Sequence, residues 1–231
     1  MHNIDISPTP GPDTPADGAA SLSISVVVYR PDIDLLDRTL ASVAAAYVQL
    51  RKTQPDATAQ LYVVDNGGLA DSDIAHRLAA LAVEGIVSTI FRGHGNVGYG
   101  RGHNLAIDIA QSQFHLILNP DIDLDGDALV NALSFMQTHP EVGLITPRID
   151  DAREGIQYLC RRYPALLDLF VRGFLPRRAQ RWFASRLSRY EMRDVINDRD
   201  VVWDPPIVSG CLMFFRAELL NRLSGFDPSY F

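Results

Sequence analysis

Apolar positions in the first half of the chain fall into short runs of β-branched and aliphatic residues, separated by longer stretches that mix apolar and polar residues. Short runs of this composition are typical of buried strands. They predict strands at Ser23–Tyr29, Gln60–Val64, Ile86–Phe91 and Phe114–Leu118.

Between these runs, apolar residues recur three or four positions apart, which places them on one face of a helix. The first predicted helix extends from about Asp32 to Leu50, and others follow Asp71, begin near Arg101 and follow Asp125. Strands that alternate with helices in this way predict an α/β fold with a doubly wound, mostly parallel sheet flanked by helices.

The pattern changes in the second half of the chain. Residues 148–201 are arginine-rich and less regular, and they predict a helical insertion in a second lobe packed on the sheet edge. A buried strand is then expected at Ile207–Phe215 and a short helix at Ala217–Leu223.

The first twenty residues combine prolines with glycine and aspartate. This composition predicts a disordered tail, and the lack of a basic start followed by an apolar stretch argues against a signal peptide. We therefore expect a tail at 1–21, an α/β half at 22–147 and a second half at 148–231.

Overall composition is ordinary, with 47% hydrophobic and 21% charged residues. No apolar run approaches the ~20 residues that a membrane span requires. Cys160 and Cys211 are far apart and have no histidine cluster near them, which indicates neither a disulfide framework nor a zinc site. A cytoplasmic location is therefore expected.

Charge is unevenly distributed. The net charge is −7, yet Arg161–Arg189 contains eight arginines and a single acid, Asp168. The acidic remainder argues against nucleic-acid binding. Phe183, Leu187 and Tyr190 share one side of a predicted helix, which suits either an anionic bilayer surface or docking on the sheet.

Paired carboxylates follow the fourth predicted strand. Asp121 and Asp123 come directly after its apolar run and Asn119-Pro120. Two oxygens at a strand end suit a hard cation, Mg²⁺ or Mn²⁺, that is shared with substrate phosphates; a solvated turn is the alternative. An EF-hand is excluded because the twelfth position of such a loop is Ala132 and a strand precedes it.

A second polar motif, Asp65-Asn66-Gly67-Gly68, follows the second predicted strand. The glycines allow a sharp turn, and the Asp65 carboxylate can accept a hydrogen bond from the imide N–H of a pyrimidine base. The alternative is an Asx-turn that merely links a strand to a helix.

A glycine-rich segment at 93–104 follows the third predicted strand. Gly93, Gly95 and Gly98 match the dinucleotide fingerprint, so an NAD-dependent oxidoreductase is one possibility. That fingerprint belongs to the first βα turn, however, and this is the third. A glycine-rich surface loop is the other alternative.

These motifs, in this order, resemble the inverting glycosyltransferases of family 2, which have the GT-A fold. Within that family the chain is similar to bacterial rhamnosyltransferases and galactofuranosyltransferases of cell-surface polysaccharide assembly. The resemblance extends from about Ser23 to Phe231 and includes Val208–Arg216 and Gly225-Phe226-Asp227. It implies a nucleotide-sugar-binding half at 22–147 and an acceptor-side half at 148–231.

The resemblance also implies roles for particular residues. Asp123 would bind the metal directly, Asp121 would face the ribose or the metal waters, and Asp65 would bind the base. The other residues implied in nucleotide-sugar binding are Val28, Tyr29, Asn66, Asn96, Gly98, Gly100, Arg101 and Asn104.

In that family a carboxylate takes the proton from the acceptor hydroxyl, and it lies in an acidic motif a few residues after Gly-Phe-Asp. This chain ends at Phe231, so we expect the base beyond it. Asp227 and Asp204 are the candidates inside the chain, and Asp227 matches a position that looks structural in the family.

The resemblance therefore implies metal-assisted, inverting transfer of a sugar such as rhamnose from a nucleotide-diphosphate donor to a polysaccharide or lipid-linked acceptor. Residues 161–190 would contact the anionic inner face of the plasma membrane. The alternatives are a catalytically silent nucleotide-sugar or membrane-surface binding module and, more remotely, the oxidoreductase.

Overall fold

The structure is a computed structural model that describes residues 19–151, 155–163, 184–197 and 199–230. Nearly all of the expected tail lies outside these residues. So do Phe183 and most of the arginine-rich segment.

Most of the apolar runs and amphipathic stretches form the elements expected of them, with small shifts at the ends. The described helices are α1 Ile33–Thr53, α2 Asp71–Val83, α3 Tyr99–Ile107, α4 Ala128–Thr138, α5 Ala184–Tyr190 and α6 Ala217–Leu223. The described strands are β1 Ser21–Val28, β2 Thr58–Asp65, β3 Ile86–Phe91, β4 Phe114–Leu118, β5 Leu144–Ile145, β6 Ile149–Asp151, β7 Gly155–Gln157, β8 Cys160–Arg161, β9 Ile207–Val208 and β10 Leu212–Arg216.

Six of the described strands form the main sheet in the order β3-β2-β1-β4-β10-β5. The first four are parallel, and β10 is antiparallel to both β4 and β5. Val28 lies opposite Asp65, and Val26 lies opposite Leu118, so the carboxyl ends of β1, β2 and β4 meet at one edge. The mostly parallel α/β sheet predicted from the sequence is confirmed.

The chain divides into two compact units, one formed by 1–145 with 210–231 and the other by 146–209. This division differs from the two halves expected at 22–147 and 148–231. The difference arises because β10 returns to the main sheet and pairs with β4.

The prediction of one strand at Ile207–Phe215 is wrong. The segment forms two strands: β9 pairs with β8 in the second unit, and β10 pairs with β4 in the first. Between them Cys211 accepts a hydrogen bond from the backbone N–H of Asn119 at 2.9 Å. The chain therefore changes sheets where the sequence pattern is continuous.

Every residue of β1 is buried, as expected for a central parallel strand. Side chains of successive residues point to opposite faces of the sheet, and Ser25 and Val27 face α3. A Cβ on Gly102 would lie 2.9 Å from both γ-carbons of Val27. Glycine at this position lets α3 lie close to the sheet.

The second unit contains the hairpin of β6 with β7 and the pair of β8 with β9. Arg162 forms two hydrogen bonds with the carboxylate of Asp194, at 2.8 and 3.0 Å. Among the described helices of the whole chain, none is long and apolar enough to cross a membrane.

Candidate functional site

Asp65 ends β2 and is only 9% exposed. Its Oδ1 accepts a hydrogen bond from the backbone N–H of Gly67 at 2.8 Å, which forms an Asx-turn. Its Oδ2 lies 3.6 Å from Nε of Arg92. The carboxylate therefore shapes the turn with one oxygen and presents the other beside a cation.

Arg92 follows β3 directly and is a site residue that the sequence patterns do not single out. Its Nη1 pairs with Asp71 at the start of α2. Nε and Nη2 are buried and have no hydrogen-bond partner among the described residues. Buried donors are usually paired, so these two nitrogens are candidate hydrogen-bond donors to a ligand. The signal in the sequence was an arginine at the end of an apolar run.

Val28 ends β1 and Tyr29 follows it directly, but the two residues differ in accessibility. Val28 is 1% exposed, whereas Tyr29 is 51% exposed. The ring of Tyr29 lies beside Gly67, since a Cβ at that glycine would be 3.6 Å from it. Of this predicted pair, Tyr29 has an exposed side chain and Val28 belongs to the core.

Asn66 and Asn96 hold the glycine-rich segment in place. Nδ2 of Asn66 donates to the carbonyl oxygen of Gly98 at 3.1 Å, and its Oδ1 lies 3.1 Å from Nε2 of His94. Oδ1 of Asn96 accepts from the backbone N–H of Gly98 at 3.0 Å. Gly98 has a φ of 84°, which favours glycine. The side-chain amides of Asn66 and Asn96 thus shape the loop that leads into α3.

Arg101 and Asn104 contact the C-terminal segment. Nε and Nη2 of Arg101 donate to the carbonyl oxygen of Pro228 at 2.9 and 2.6 Å. Asn104 forms two hydrogen bonds with the backbone of Phe226. A Cβ on Gly100 would lie 3.0 Å from Cβ of Phe226. These residues were predicted to shape a diphosphate and sugar site; in the structure their contacts hold residues 226–228 against α3.

Asp121 and Asp123 lie in the loop after β4 and are exposed. Oδ2 of Asp123 forms an ion pair with Nη2 of Arg38, which projects from α1. The side chains of the pair are 44% and 63% exposed respectively. We call residues 119–125 the acidic loop.

Helix α1 also holds the acidic loop through neutral hydrogen bonds. Oγ1 of Thr39 donates to the carbonyl oxygen of Pro120 at 2.9 Å. The backbone N–H of Leu124 donates to Oγ of Ser42 at 2.9 Å. Three nearby residues of α1 therefore contact the acidic loop: Thr39 and Ser42 bond its backbone, and Arg38 bonds the Asp123 carboxylate.

A buried chain of polar side chains connects β1, β4 and α3. Nδ1 of His103 lies 2.8 Å from Oγ of Ser25, which lies 2.8 Å from Nε2 of His115. Nδ1 of His115 lies 2.6 Å from Oγ of Ser23. Burial lowers the pKa of His115 to about 4. Burial, with a smaller effect of His115, lowers the pKa of His103 to about 3. Both imidazoles are therefore neutral at physiological pH.

Comparisons with known proteins identify the family of the chain. Residues 23–224 match the family described as Glycosyl transferase family 2. The chain belongs to this family. A curated relative, the uncharacterized protein y4gI of Sinorhizobium fredii (strain NBRC 101917 / NGR234), is 30% identical over 135 residues, which cover 58% of this chain and 14% of that protein.

Solved structures of similar fold include complexes with nucleotide sugars. Mannosyltransferase PcManGT from Pyrobaculum calidifontis, in complex with GDP-Man and Mn²⁺, is 18% identical with a TM-score of 0.58, over 98% of this chain and 51% of that one. S. aureus TarS 1–349 in complex with UDP-GlcNAc is 16% identical with a TM-score of 0.53, over 88% and 47%. The chain spans about half the length of these two proteins. The likeness confirms the GT-A-like fold.

Two acids of this family 2 chain were candidate bases. Oδ1 of Asp227 accepts a hydrogen bond from the backbone N–H of Ser229 at 2.8 Å. This bond, together with one from the Ser229 side chain, lowers the pKa of Asp227 and makes it a weaker base. Asp204 lies in the second unit, with a φ of 49°.

The candidate metal ligands in the acidic loop of this family 2 chain fit Mg²⁺ or Mn²⁺. Asp121 and Asp123 offer carboxylate oxygens, the ligands these ions prefer, and Asp123 already carries a cation, the Arg38 guanidinium. In the described ranges, no group of three or more His, Cys, Asp and Glu side chains is arranged to hold a metal. A metal at the acidic loop would therefore take further ligands from water and substrate.

Proposed function

We propose that this chain is the donor-binding part of an inverting glycosyltransferase that transfers a sugar from a nucleotide-diphosphate donor to a polysaccharide or lipid-linked acceptor. The supporting observation is that polar groups lie at the carboxyl ends of parallel strands: Asp65 is the last residue of β2, Arg92 follows β3, and Asp121 and Asp123 follow β4. Ligands of open α/β sheets bind at this edge. Family membership and the nucleotide sugars bound to PcManGT and TarS support the same donor class.

The nucleoside would bind at the carboxyl ends of β1, β2 and β3. Oδ2 of Asp65 accepts a hydrogen bond from the imide N–H of uracil or thymine. The buried Nε and Nη2 of Arg92 donate to carbonyl oxygens of the same base, which gives a hydrogen bond to donors that form none with the described residues. The exposed ring of Tyr29 offers an aromatic face to the base. Rhamnose on deoxythymidine or uridine diphosphate is the donor that we would test first.

The donor diphosphate would bind at the acidic loop. Asp123, with Asp121 beside it, would hold Mg²⁺ or Mn²⁺, which neutralises negative charge that develops on a leaving diphosphate. The hydrogen bonds from Thr39 and Ser42 keep the loop, and with it the carboxylates, in a fixed position. A fixed arrangement lowers the entropy cost of ligand binding.

Binding without turnover is the second candidate function. It is favoured by Asp227, whose carboxylate is occupied by Ser229 and has a lowered pKa. Production of free nucleoside diphosphate from a donor and a lipid-linked acceptor would separate a transferase from a silent binding module.

The proposed contact of residues 161–190 with an anionic membrane is tested by sedimentation with phosphatidylglycerol vesicles.

A thermal-shift panel tests the donor assignment. UDP, dTDP, GDP and NAD⁺ are each added with and without Mn²⁺, because a ligand that binds only the native state stabilises it by about 2.7 kcal/mol at a hundred times its Kd. We expect UDP or dTDP to raise the melting temperature, and Mn²⁺ to increase that shift. Stabilisation by NAD⁺ alone would favour the oxidoreductase instead.

Variants assign the roles. Asp123→Asn should remove the gain from Mn²⁺, and Asp65→Asn should weaken nucleotide binding with and without metal. Asp125→Asn is a matched control in the same acidic loop and should behave as the unmodified protein. An unchanged Mn²⁺ effect in Asp123→Asn would show that the metal role given to Asp123 is wrong. If no nucleoside diphosphate stabilised the protein, the donor assignment would fail.

A further inference from the structure

The pair of Arg38 and Asp123 joins α1 to the carboxylate that we assign to the metal. We propose that Arg38 is a positioning residue that serves as a displaceable counter-ion of Asp123. It holds the carboxylate in the free protein and gives it up when a divalent cation binds. The inference rests on the proposed function, since it requires a cation at Asp123.

The exposure of the two side chains makes the exchange feasible. Arg38 is 63% exposed and Asp123 is 44% exposed. Ion pairs between exposed side chains contribute little to stability, because water screens them and both side chains lose freedom. A divalent cation carries twice the charge and coordinates the oxygen directly, so it competes effectively for the same carboxylate.

The neutral contacts of α1 do not take part in this competition. Thr39 is fully buried, at 0% exposure, and bonds the carbonyl oxygen of Pro120. Ser42 accepts from the backbone N–H of Leu124. Both contacts involve the loop backbone and leave the Asp123 carboxylate untouched. The acidic loop can therefore keep its position on α1 while the Arg38 guanidinium moves away.

Separate contacts thus position the loop and neutralise its charge. The cost of breaking the pair weakens binding of the metal by itself. Oxygen ligands from a donor diphosphate then offset this cost, so that metal and donor bind together more readily than the metal alone. Removal of the Arg38 charge should accordingly tighten binding of the free metal.

Manganese binding to the full chain tests this inference without any measurement of activity. The signal of free Mn²⁺ in electron paramagnetic resonance gives the Kd for the metal alone. We expect Arg38→Gln to lower this Kd by about two- to fivefold, the range that corresponds to an exposed ion pair. Arg38→Lys keeps the charge and should stay near the original Kd. Arg51→Gln, on the same helix but hydrogen-bonded to Pro55, is the matched control.

A spectroscopic measurement reports the exchange directly. The Nε signal of Arg38 in ¹⁵N spectra should shift as Mg²⁺ saturates the protein, whereas that of Arg51 should not. Melting temperatures of all variants verify that they fold.

The outcomes separate this inference from the proposed function. Suppose that Asp123→Asn abolishes Mn²⁺ binding while Arg38→Gln leaves the Kd for Mn²⁺ unchanged or raises it. In that case the role of Arg38 is wrong and the metal assignment stands. A static Arg38 signal at saturating Mg²⁺ would also overturn it. If Asp123→Asn binds Mn²⁺ as tightly as the original chain, the metal assignment itself fails and the Arg38 inference fails with it.

Discussion

Asn104 forms two hydrogen bonds with the backbone of a single residue, Phe226. Its Nδ2 donates to the carbonyl oxygen at 2.8 Å, and its Oδ1 accepts from the N–H at 2.8 Å. One side chain thus satisfies both backbone groups of a residue 122 positions away. The pair attaches the segment after α6 to the helix that follows the glycine-rich loop.

Asn104→Asp should destabilise the protein. A carboxylate can still accept from the N–H of Phe226, but it cannot donate to the carbonyl oxygen, and it leaves two acceptors facing each other. We expect a loss of about 1–3 kcal/mol in the free energy of unfolding, measured by urea denaturation. Asn131→Asp, at an exposed position of α4, is the control and should change stability by less than about 0.5 kcal/mol. Equal effects of the two changes would contradict the role of the Asn104 amide.

Gly102→Ala should also destabilise. Alanine is a better helix former than glycine by about 1 kcal/mol, but its Cβ would lie 2.9 Å from the γ-carbons of Val27. Overpacking of this kind costs about 1–3 kcal/mol, so the clash outweighs the helix gain. Gly126→Ala is the control, because a Cβ there meets nothing within 4 Å. A melting temperature of Gly102→Ala at or above that of Gly126→Ala would rule out close packing at this point.

Acid should weaken the fold through the buried histidines. The pKa of His103 is lowered to about 3 and that of His115 to about 4, against an ordinary value of 6.5. Below pH 6.5 the unfolded chain takes up protons that the native protein does not, so their contribution is complete above this value and is lost as the pH falls. Protonation of each histidine in the unfolded chain should lower the free energy of unfolding by roughly 2 kcal/mol between pH 7 and pH 5.

Urea denaturation at the two pH values measures this loss. His115→Gln removes one of the two titrating groups and should reduce the pH dependence by about half. A variant that loses as much stability as the original chain between pH 7 and pH 5 would assign the acid sensitivity to other groups.

Arg92→Gln should weaken donor binding. The change removes the guanidinium whose Nε and Nη2 form no hydrogen bond with the described residues. Hydrogen bonds to a charged group contribute about 1.5–3 kcal/mol, which corresponds to a Kd for UDP or dTDP raised by about ten- to a hundredfold. Calorimetric titration in the presence of Mn²⁺ measures it, with Arg51→Gln as the control. Unchanged affinity would place the base away from Arg92.

Local sequence predicted the central strands of the sheet well because β-branched and aliphatic residues dominate them. β1 and β4 are buried throughout, so their composition alone marks them. The strand expected at Ile207–Phe215 failed for a physical reason: an apolar run does not show that its first residues pair with β8 and its last with β4.

Side-chain partners were harder to predict than strands. Arg38 and Asp123 are 85 positions apart, and no spacing rule connects them. The resemblance implied that Arg101 and Asn104 take part in nucleotide-sugar binding, and no local pattern indicated their hydrogen bonds to the backbone of Pro228 and Phe226. Asp65 needed less information, since its Asx-turn depends on a residue only two positions away.

His115 has one further consequence, for the alignment of β1 with β4. Its ring nitrogens bond Ser23 and Ser25, two residues on the same face of β1. A shift of one residue between the strands would turn the imidazole to the face of Leu22 and Ile24, where aliphatic side chains offer no polar partner. Each buried ring nitrogen left without a hydrogen bond would lower the stability of the misaligned pairing by about 1–3 kcal/mol. Uniformly aliphatic strands tolerate misalignment, so a single histidine distinguishes the native pairing from its nearest competitors while the chain folds.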